Sequence, residues 1–321
     1  MNILVTGGCG FIGHNVVQTL EQLSHTVAII DNKTTYGIIP QAEIDHLLLQ
    51  RTKKINSPVY NASIESAETI NYVVEKHAPD VVVHLASFPR QKVVNSDPAW
   101  GSRTMMEGLF NLLESAKKHR VRRFVYVSSS MVYGNFDNNV VESAVCNPEG
   151  QYGIMKLAGE WLVKDYARRT GMEAVIIRPS AVYGPLDVED RVVAKFMLTA
   201  MRGGELSVNG PDEKLDFTYV TDLSAGIVQA ALSDSAPGNT YNLTRSQSVT
   251  LLEAAETIVN IVGSGTVRVN NRDLNFPSRG SLNIDAARRD LNFNPTVNVA
   301  DGFERYYESL SNSVHWSATT V

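Results

Sequence analysis

The hexapeptide Gln-Tyr-Gly-Ile-Met-Lys at 151–156 puts Tyr152 and Lys156 four residues apart, on one face of a helix. That pair can turn a phenol into a base. A tyrosine of pKa ~10 must shift by about 3 units, or about 4 kcal/mol, to be half ionised at neutral pH. A lysine ammonium at ~4–5 Å supplies roughly 3–4 kcal/mol of this at an effective dielectric near 20. A cationic nicotinamide would add to the effect and desolvation would subtract from it. Tyr152 with Lys156 is thus a candidate general base. A second candidate is Ser-Ser-Ser-Met-Val-Tyr-Gly at 128–134, just after the strand-like run Arg-Phe-Val-Tyr-Val. One of its hydroxyls could hold the oxygen that reacts.

Chemistry of this kind needs a hydride acceptor, and the first residues offer a place for one. Gly7, Gly10 and Gly13 are spaced G-x-x-G-x-x-G, with Phe11 and Ile12 between the last two, after one strand pattern and at the start of a helical one. Glycines let the backbone approach a pyrophosphate, and the helix N-terminus then holds the anion. Asp31 ends the next strand, where a carboxylate accepts the ribose hydroxyls of NAD. It would repel a 2′-phosphate, and no arginine adjoins it in sequence, so NAD is expected rather than NADP. Cys9, inside the turn, reads as filler.

The elements that must position these groups form a regular alternation. Strands are expected at 2–7, 26–31, 81–86, 123–129 and 173–179, and helices at about 11–24, 66–77, 100–118 and 152–170. Apolar strands separated by helices indicate a parallel sheet covered on both faces. The fold class is therefore α/β, a Rossmann-type doubly wound parallel sheet with a smaller C-terminal α/β lobe. Residues 1–180 form the dinucleotide-binding domain, with about 217–248 packing back on it. Residues 181–312 are mainly the substrate lobe, with helices at about 190–203 and 299–311 and a loop-rich stretch at 270–285. The tail 313–321 is expected to be frayed.

Taken together, Thr-Gly-Gly-Cys-Gly-Phe-Ile-Gly, Asp31–Asn32, His-Leu-Ala (84–86), the serine run, Tyr152/Lys156, Arg-Pro-Ser-Ala-Val-Tyr-Gly-Pro (178–185) and Asp-Phe-Thr-Tyr-Val-Thr-Asp-Leu (216–223) occur in one order. So does Tyr-Asn-Leu-Thr-Arg-Ser-Gln-Ser-Val-Thr-Leu-Leu-Glu-Ala-Ala-Glu-Thr-Ile (241–258). The chain resembles the extended short-chain dehydrogenase/reductases, in particular the NAD-dependent nucleotide-sugar epimerase/dehydratase family. The resemblance implies tightly held NAD, contacted also by Asn32, Asn61, Ala62, Leu85, Ala86, Tyr152, Lys156 and Pro179. It implies a nucleotide-sugar substrate, and a homodimer built from the helices at 100–118 and 152–170. Apolar residues there include Met105, Leu109, Leu112, Leu157, Trp161 and Leu162, for each of which core packing is the alternative.

In that family a serine or threonine three positions before the valine of Val-Tyr-Gly binds the sugar hydroxyl; here it is Ser129. Sugar 4,6-dehydratases carry Asp then Glu at the next two positions, and UDP-glucuronate decarboxylases keep the Glu. This chain has Ser130 and Met131, and neither serves as an acid or base at neutral pH. The pattern resembles UDP-sugar 4-epimerases, which need only Ser, Tyr and Lys. A UDP-hexose or UDP-uronic acid passing through a transient 4-keto sugar is the expected reaction. A sugar dehydrogenase or reductase, a dehydratase of the same family, and a non-catalytic dinucleotide sensor are the alternatives. Two family contacts to the substrate diphosphate are missing, since Ala181 and Leu215 stand in their places. Lys214, Arg191, Arg272 and Arg279 are possible substitutes. Arg90, on the active-site rim, is a candidate for a substrate carboxylate or phosphate, and Ser129, Ser130 and Tyr152 complete the substrate set.

Composition sets the outer limits. The chain has 321 residues and net charge -5, which disfavours nucleic acid or an anionic membrane as partner. The basic run Lys-Lys-His-Arg-Val-Arg-Arg (117–123) reads as a helix C-terminus. Two cysteines make no disulfide framework, and seven histidines lack metal-ligand spacing, so no metal is expected. Met1 leads straight into a strand pattern with no targeting or membrane segment expected, so a cytoplasmic location is the expectation.

Overall fold

The computed structural model describes residues 1–34, 39–274 and 276–312; the expected frayed tail at 313–321 lies outside them. In chain order the strands are β1 (Asn2–Thr6), β2 (Thr26–Ile30), β3 (Val59–Tyr60), β4 (Val81–His84), β5 (Arg123–Val127), β6 (Glu173–Pro179), β7 (Val182–Tyr183), β8 (Glu205–Asn209), β9 (Lys214–Asp216), β10 (Thr218–Tyr219), β11 (Thr240–Leu243), β12 (Ser248–Thr250) and β13 (Thr266–Asn270). The helices are α1 (Phe11–Gln22), α2 (Gln41–Thr52), α3 (Ala67–His77), α4 (Gln91–Ser96), α5 (Pro98–Ser102), α6 (Gly108–Lys118), α7 (Gln151–Thr170), α8 (Val192–Met201), α9 (Val220–Leu232), α10 (Leu251–Val262), α11 (Asp285–Leu291) and α12 (Val299–Ser311).

Seven strands form one sheet in the order β11-β6-β5-β4-β1-β2-β3, and every pairing in it is parallel. The apolar strands bury both faces. Ile3, Val5, Val81 and Val125 face one core, shared with Val16, Val17, Leu223 and Ile227 of α1 and α9. Leu4, Val82 and Phe124 face the other, with Ile70, Leu109, Leu112 and Val163 of α3, α6 and α7. The strand order reverses direction between β1 and β4, and that crevice at the carboxyl ends is where such sheets bind ligands.

A third core lies outside the sheet. Val193, Phe196 and Met197 of α8 pack with Ala254 and Ile258 of α10 and Phe303 and Tyr306 of α12. Residues 240–243 leave this lobe and return to the edge of the large sheet, where β11 pairs with β6.

Two features differ from the sequence expectation. The segment expected as a single helix over 100–118 is broken: α5 ends at Ser102, a π-helical turn spans Arg103–Glu107, and α6 follows. Helix α2 was not expected, because its apolar residues Ile44 and Leu47 make too weak a stripe among charged neighbours. Among the described residues no helix is long and apolar enough to cross a membrane.

Candidate active site

The cofactor cradle is built at the carboxyl ends of β1, β2 and β4. Gly10 is the N-cap of α1, with no side chain capping the helix, so its first N–H groups face the crevice. A Cβ on Gly13 would lie 2.0 Å from the Gly7 carbonyl oxygen, so only glycine lets the turn close. Phe11 and Ile12 open α1, with Ile12 packed on the sheet core. Asp31 is drawn to the cradle: its Oδ2 accepts from Cys9 N at 2.8 Å and its Oδ1 from Lys33 N at 2.7 Å. Ala62 N donates to the Asp31 carbonyl at 3.3 Å, Asn61 is exposed beside it, and Asn32 Oδ1 accepts from Thr34 N. Leu85 N donates to Thr6 O at 3.1 Å and Ala86 N to Thr6 Oγ1 at 3.3 Å. Pro179 ends β6, opposite Leu243. An uncapped helix, a glycine turn with no room for a side chain and a carboxylate at its rim suit a dinucleotide diphosphate and its ribose.

The fold adds one cation near Asp31 that local sequence does not place there. Asp31 has no arginine next to it in sequence, but the fold brings Arg51 of α2 within electrostatic reach, and Arg51 and Lys33 together oppose the upward push of burial on Asp31. Arg51 is not a free cation. Its Nε and Nη2 both donate to the Leu186 carbonyl, at 3.1 and 2.6 Å.

The catalytic candidates meet where α7 packs on the short 3₁₀ turn Ser130–Tyr133 after β5. A Cβ on Gly153 would come within 2.7 Å of Met131 O, so a glycine beside Tyr152 permits this contact. Ser129 caps the turn, its Oγ accepting from Met131 N at 3.2 Å. The Ser129 hydroxyl lies close enough to act on the Tyr152 phenol. Lys156 Nζ donates to the Val127 carbonyl at 2.8 Å and stands 5.9 Å from the centre of the Tyr152 ring.

The electrostatics differ from the simple pair. Burial raises the Tyr152 pKa, and the groups that oppose it are Arg191 and the Ser129 hydroxyl. Lys156 is pulled by burial to about 7, with Glu160 the group opposing that fall. Lys156 stands over the ring face and is fastened to a carbonyl of β5, so its charge is shared between that strand end and the phenol.

The remaining substrate candidates separate. Arg279 enters the site: its Nη1 lies 3.9 Å from Met131 Sδ, and its Nε is buried without a hydrogen-bond partner among the described residues. An orphaned guanidinium nitrogen suits an anionic ligand. Ser130 is buried in the turn. Arg90 is held by Asp190, through both its carbonyl (2.9 Å) and its carboxylate. Lys214 is exposed at the start of β9, within electrostatic reach of Glu253. Arg272 pairs with Glu213 at 3.3 Å, and Leu215 is buried in the third core. Met131 packs with Phe88, Val93, Val94, Met105 and Tyr152.

The sequence reading passed over Glu160, although it lies four residues after Lys156 on the same helix face. It also passed over Ser180, whose hydroxyl is buried just past Pro179 without a hydrogen-bond partner among the described residues.

Comparison with known proteins agrees with this arrangement. The model of the NAD dependent epimerase/dehydratase family matches residues 3–244. A Bacillus subtilis protein named uncharacterized UDP-glucose epimerase YtcB is 28% identical, over 97% of this chain and 98% of its own. The dTDP-glucose 4,6-dehydratase of Streptomyces niveus is 30% identical, over 98% of this chain and 94% of its own. The crystal structure of UDP-glucuronic acid 4-epimerase from Bacillus cereus, in complex with UDP-glucuronic acid and NAD, superposes with a TM-score of 0.88 at 27% identity, covering 96% of this chain and 98% of that one.

Proposed function

The chain belongs to the NAD-dependent epimerase/dehydratase family, and from that premise we propose that it is a nucleotide-sugar 4-epimerase acting on a UDP-hexose or UDP-uronic acid. The observation that carries this reading is the apolar setting of Met131. At the position where elimination of water would need an acid or base stands a thioether, packed among Phe88, Val93, Val94 and Met105. The likeness to a dTDP-glucose dehydratase supports the family and the shared oxidation at C4, which both reactions require.

In this reading Ser129 binds the C4 hydroxyl and Tyr152 takes its proton, then returns one to the C4 oxygen after the 4-keto sugar has turned over and offered its opposite face for reduction. Lys156 keeps a positive charge beside the tyrosine, and Arg279 binds the diphosphate that Ala181 and Leu215 leave without their usual partners. The Gly7–Gly13 turn and Asp31 would hold NAD, which would supply the hydride acceptor and, once reduced, the hydride donor within one cycle.

We assign the protein to the cytoplasm as a homodimer. Phe110, Ile154 and Trp161 are 42, 53 and 67% exposed on α6 and α7, where burial would be gained by pairing. Met105, Leu109 and Leu112 by contrast are buried within the chain. The test of the reaction is incubation with UDP-, GDP-, CDP- and dTDP-sugars, with products resolved by NMR. A C4 epimer without accumulated NADH supports it; a dehydrated product or stoichiometric NADH contradicts it.

A further inference from the structure

Beneath the catalytic pair runs a buried polar chain that the steps above do not use. Glu160 and Arg178 are paired through two bonds, Nε to Oε1 at 2.9 Å and Nη2 to Oε2 at 2.6 Å. Their side chains are 0 and 4% exposed. The pair grips both flanks of the turn that carries Ser129. On one side Ser128 Oγ donates to Glu160 Oε1 at 2.6 Å. On the other, Arg178 Nη1 donates to the Tyr133 hydroxyl at 2.9 Å. Tyr133 then donates to Asn242 Oδ1 at 2.8 Å, and Asn242 Nδ2 donates to the Asn283 carbonyl at 3.0 Å. The chain of bonds thus ends four residues from Arg279.

The same carboxylate lies one helical turn beyond Lys156. The other groups facing that ammonium add little negative charge. From β5 come the Val127 carbonyl and the Tyr126 ring, 5.2 Å away. From β4 comes His84, which burial holds at about 3 and therefore neutral at physiological pH. Tyr152 shares the helix, and Arg191 acts on Tyr152. Glu160 is the group that raises the Lys156 pKa against desolvation.

We propose that Glu160 is a positioning residue for the reaction: clamped by Arg178 and Ser128, its carboxylate keeps Lys156 charged and fixes the Ser129 turn against α7. A buried ion pair is in itself weak evidence of added stability. Its value here lies in what each end is tied to. The proposal rests on the epimerase reading for its turnover measurement only; the ionisation of Lys156 can be read without substrate.

The test is an NMR titration of protein labelled with ¹³C at lysine Cε, with the Lys156 signal assigned by its loss in Lys156→Met. Glu160→Gln is expected to lower the Lys156 midpoint by about one pH unit, a tenfold change in its ionisation constant. The alkaline limb of turnover should move down by the same amount, and Glu160→Asp should recover part of the shift. Because Glu160→Gln strands a buried arginine at a cost to folding, Glu160→Gln/Arg178→Met is measured beside it. That variant removes both charges and should keep the lowered midpoint with a higher Tm. A midpoint unchanged in the folded variants overturns the proposal, as does a fall in turnover that is uniform with pH. A shifted midpoint in a protein that epimerises no nucleotide sugar supports the proposal while refuting the proposed reaction.

Discussion

Lys156 and Val127 are joined by a 2.8 Å hydrogen bond from the ammonium to the strand carbonyl. The lysine is therefore fastened to the end of β5, two residues before Ser129. Helix α7 supplies Tyr152 and Lys156, β5 supplies the turn with Ser129, and this bond sets one against the other. With Lys156 drawn to about 7, the site stands near the point where its charge changes at neutral pH.

Removing the phenol tests the base. Tyr152→Phe is expected to lower kcat by about 10²–10⁴-fold while leaving NAD affinity within a few-fold of the parent, measured by fluorescence titration. Ser129→Ala should lower kcat by roughly 10-fold or more through loss of one hydrogen bond to a charged oxygen. A Tyr152→Phe protein with parental turnover would remove Tyr152 from the chemistry.

In the proposed reading Asp31 selects the cofactor. Its replacement by Ala removes a charge-assisted acceptor, for which about 1.5–3 kcal/mol, or roughly 10–100-fold in Kd, is expected. Calorimetric titration with NAD and NADP should show the first weakened and the ratio between them reduced. Unchanged NAD affinity would mean that the ribose is held elsewhere.

Two buried histidines make the fold acid-sensitive. Burial lowers His84 to about 3 and His14 to about 4, both below the ordinary 6.5. The unfolded chain therefore takes up protons near pH 6.5 that the folded chain refuses. The stability present above pH 6.5 is lost as pH falls towards 4 and 3, by up to about 1.4 kcal/mol per unit per histidine. Asp216, pushed up to about 6 by burial, works in the opposite sense, so the contribution of His84 is read as a difference. Denaturant unfolding of the parent and His84→Gln from pH 7 to 4 should give a shallower fall in the variant. Parallel slopes would contradict the assignment.

If the proposed dimer forms, Trp161→Glu on the exposed face of α7 should convert it into a monomer, as judged by analytical ultracentrifugation. The site residues lie on the inner face of the same helix, so the secondary structure should be retained. A dimer that survives the substitution would place the interface on another surface.

Much of this was legible in the residues themselves. The glycine turn, Asp31, Ser129 and the Tyr152/Lys156 pair all rest on local spacing, and local spacing is preserved when the chain folds. What escaped depends on contacts between distant segments. Arg51 reaches the Asp31 region from a helix with too weak an apolar stripe to be expected. Arg90, free in sequence, is taken up by Asp190, 100 residues further along. Lys156 spends its hydrogen bond on Val127 rather than pointing only at the phenol, and no pattern in the serine run announces that Ser128 answers to Glu160.

In the proposed reaction this site inverts C4 and does nothing more. The most direct measurement uses a UDP-sugar carrying deuterium at C4, incubated with the NAD-loaded enzyme and followed by NMR and mass spectrometry. The expected product is C4-inverted, of unchanged mass, and retains the deuterium at C4, with no NADH accumulating. A product lighter by one water, or NADH formed in proportion to product, would contradict it.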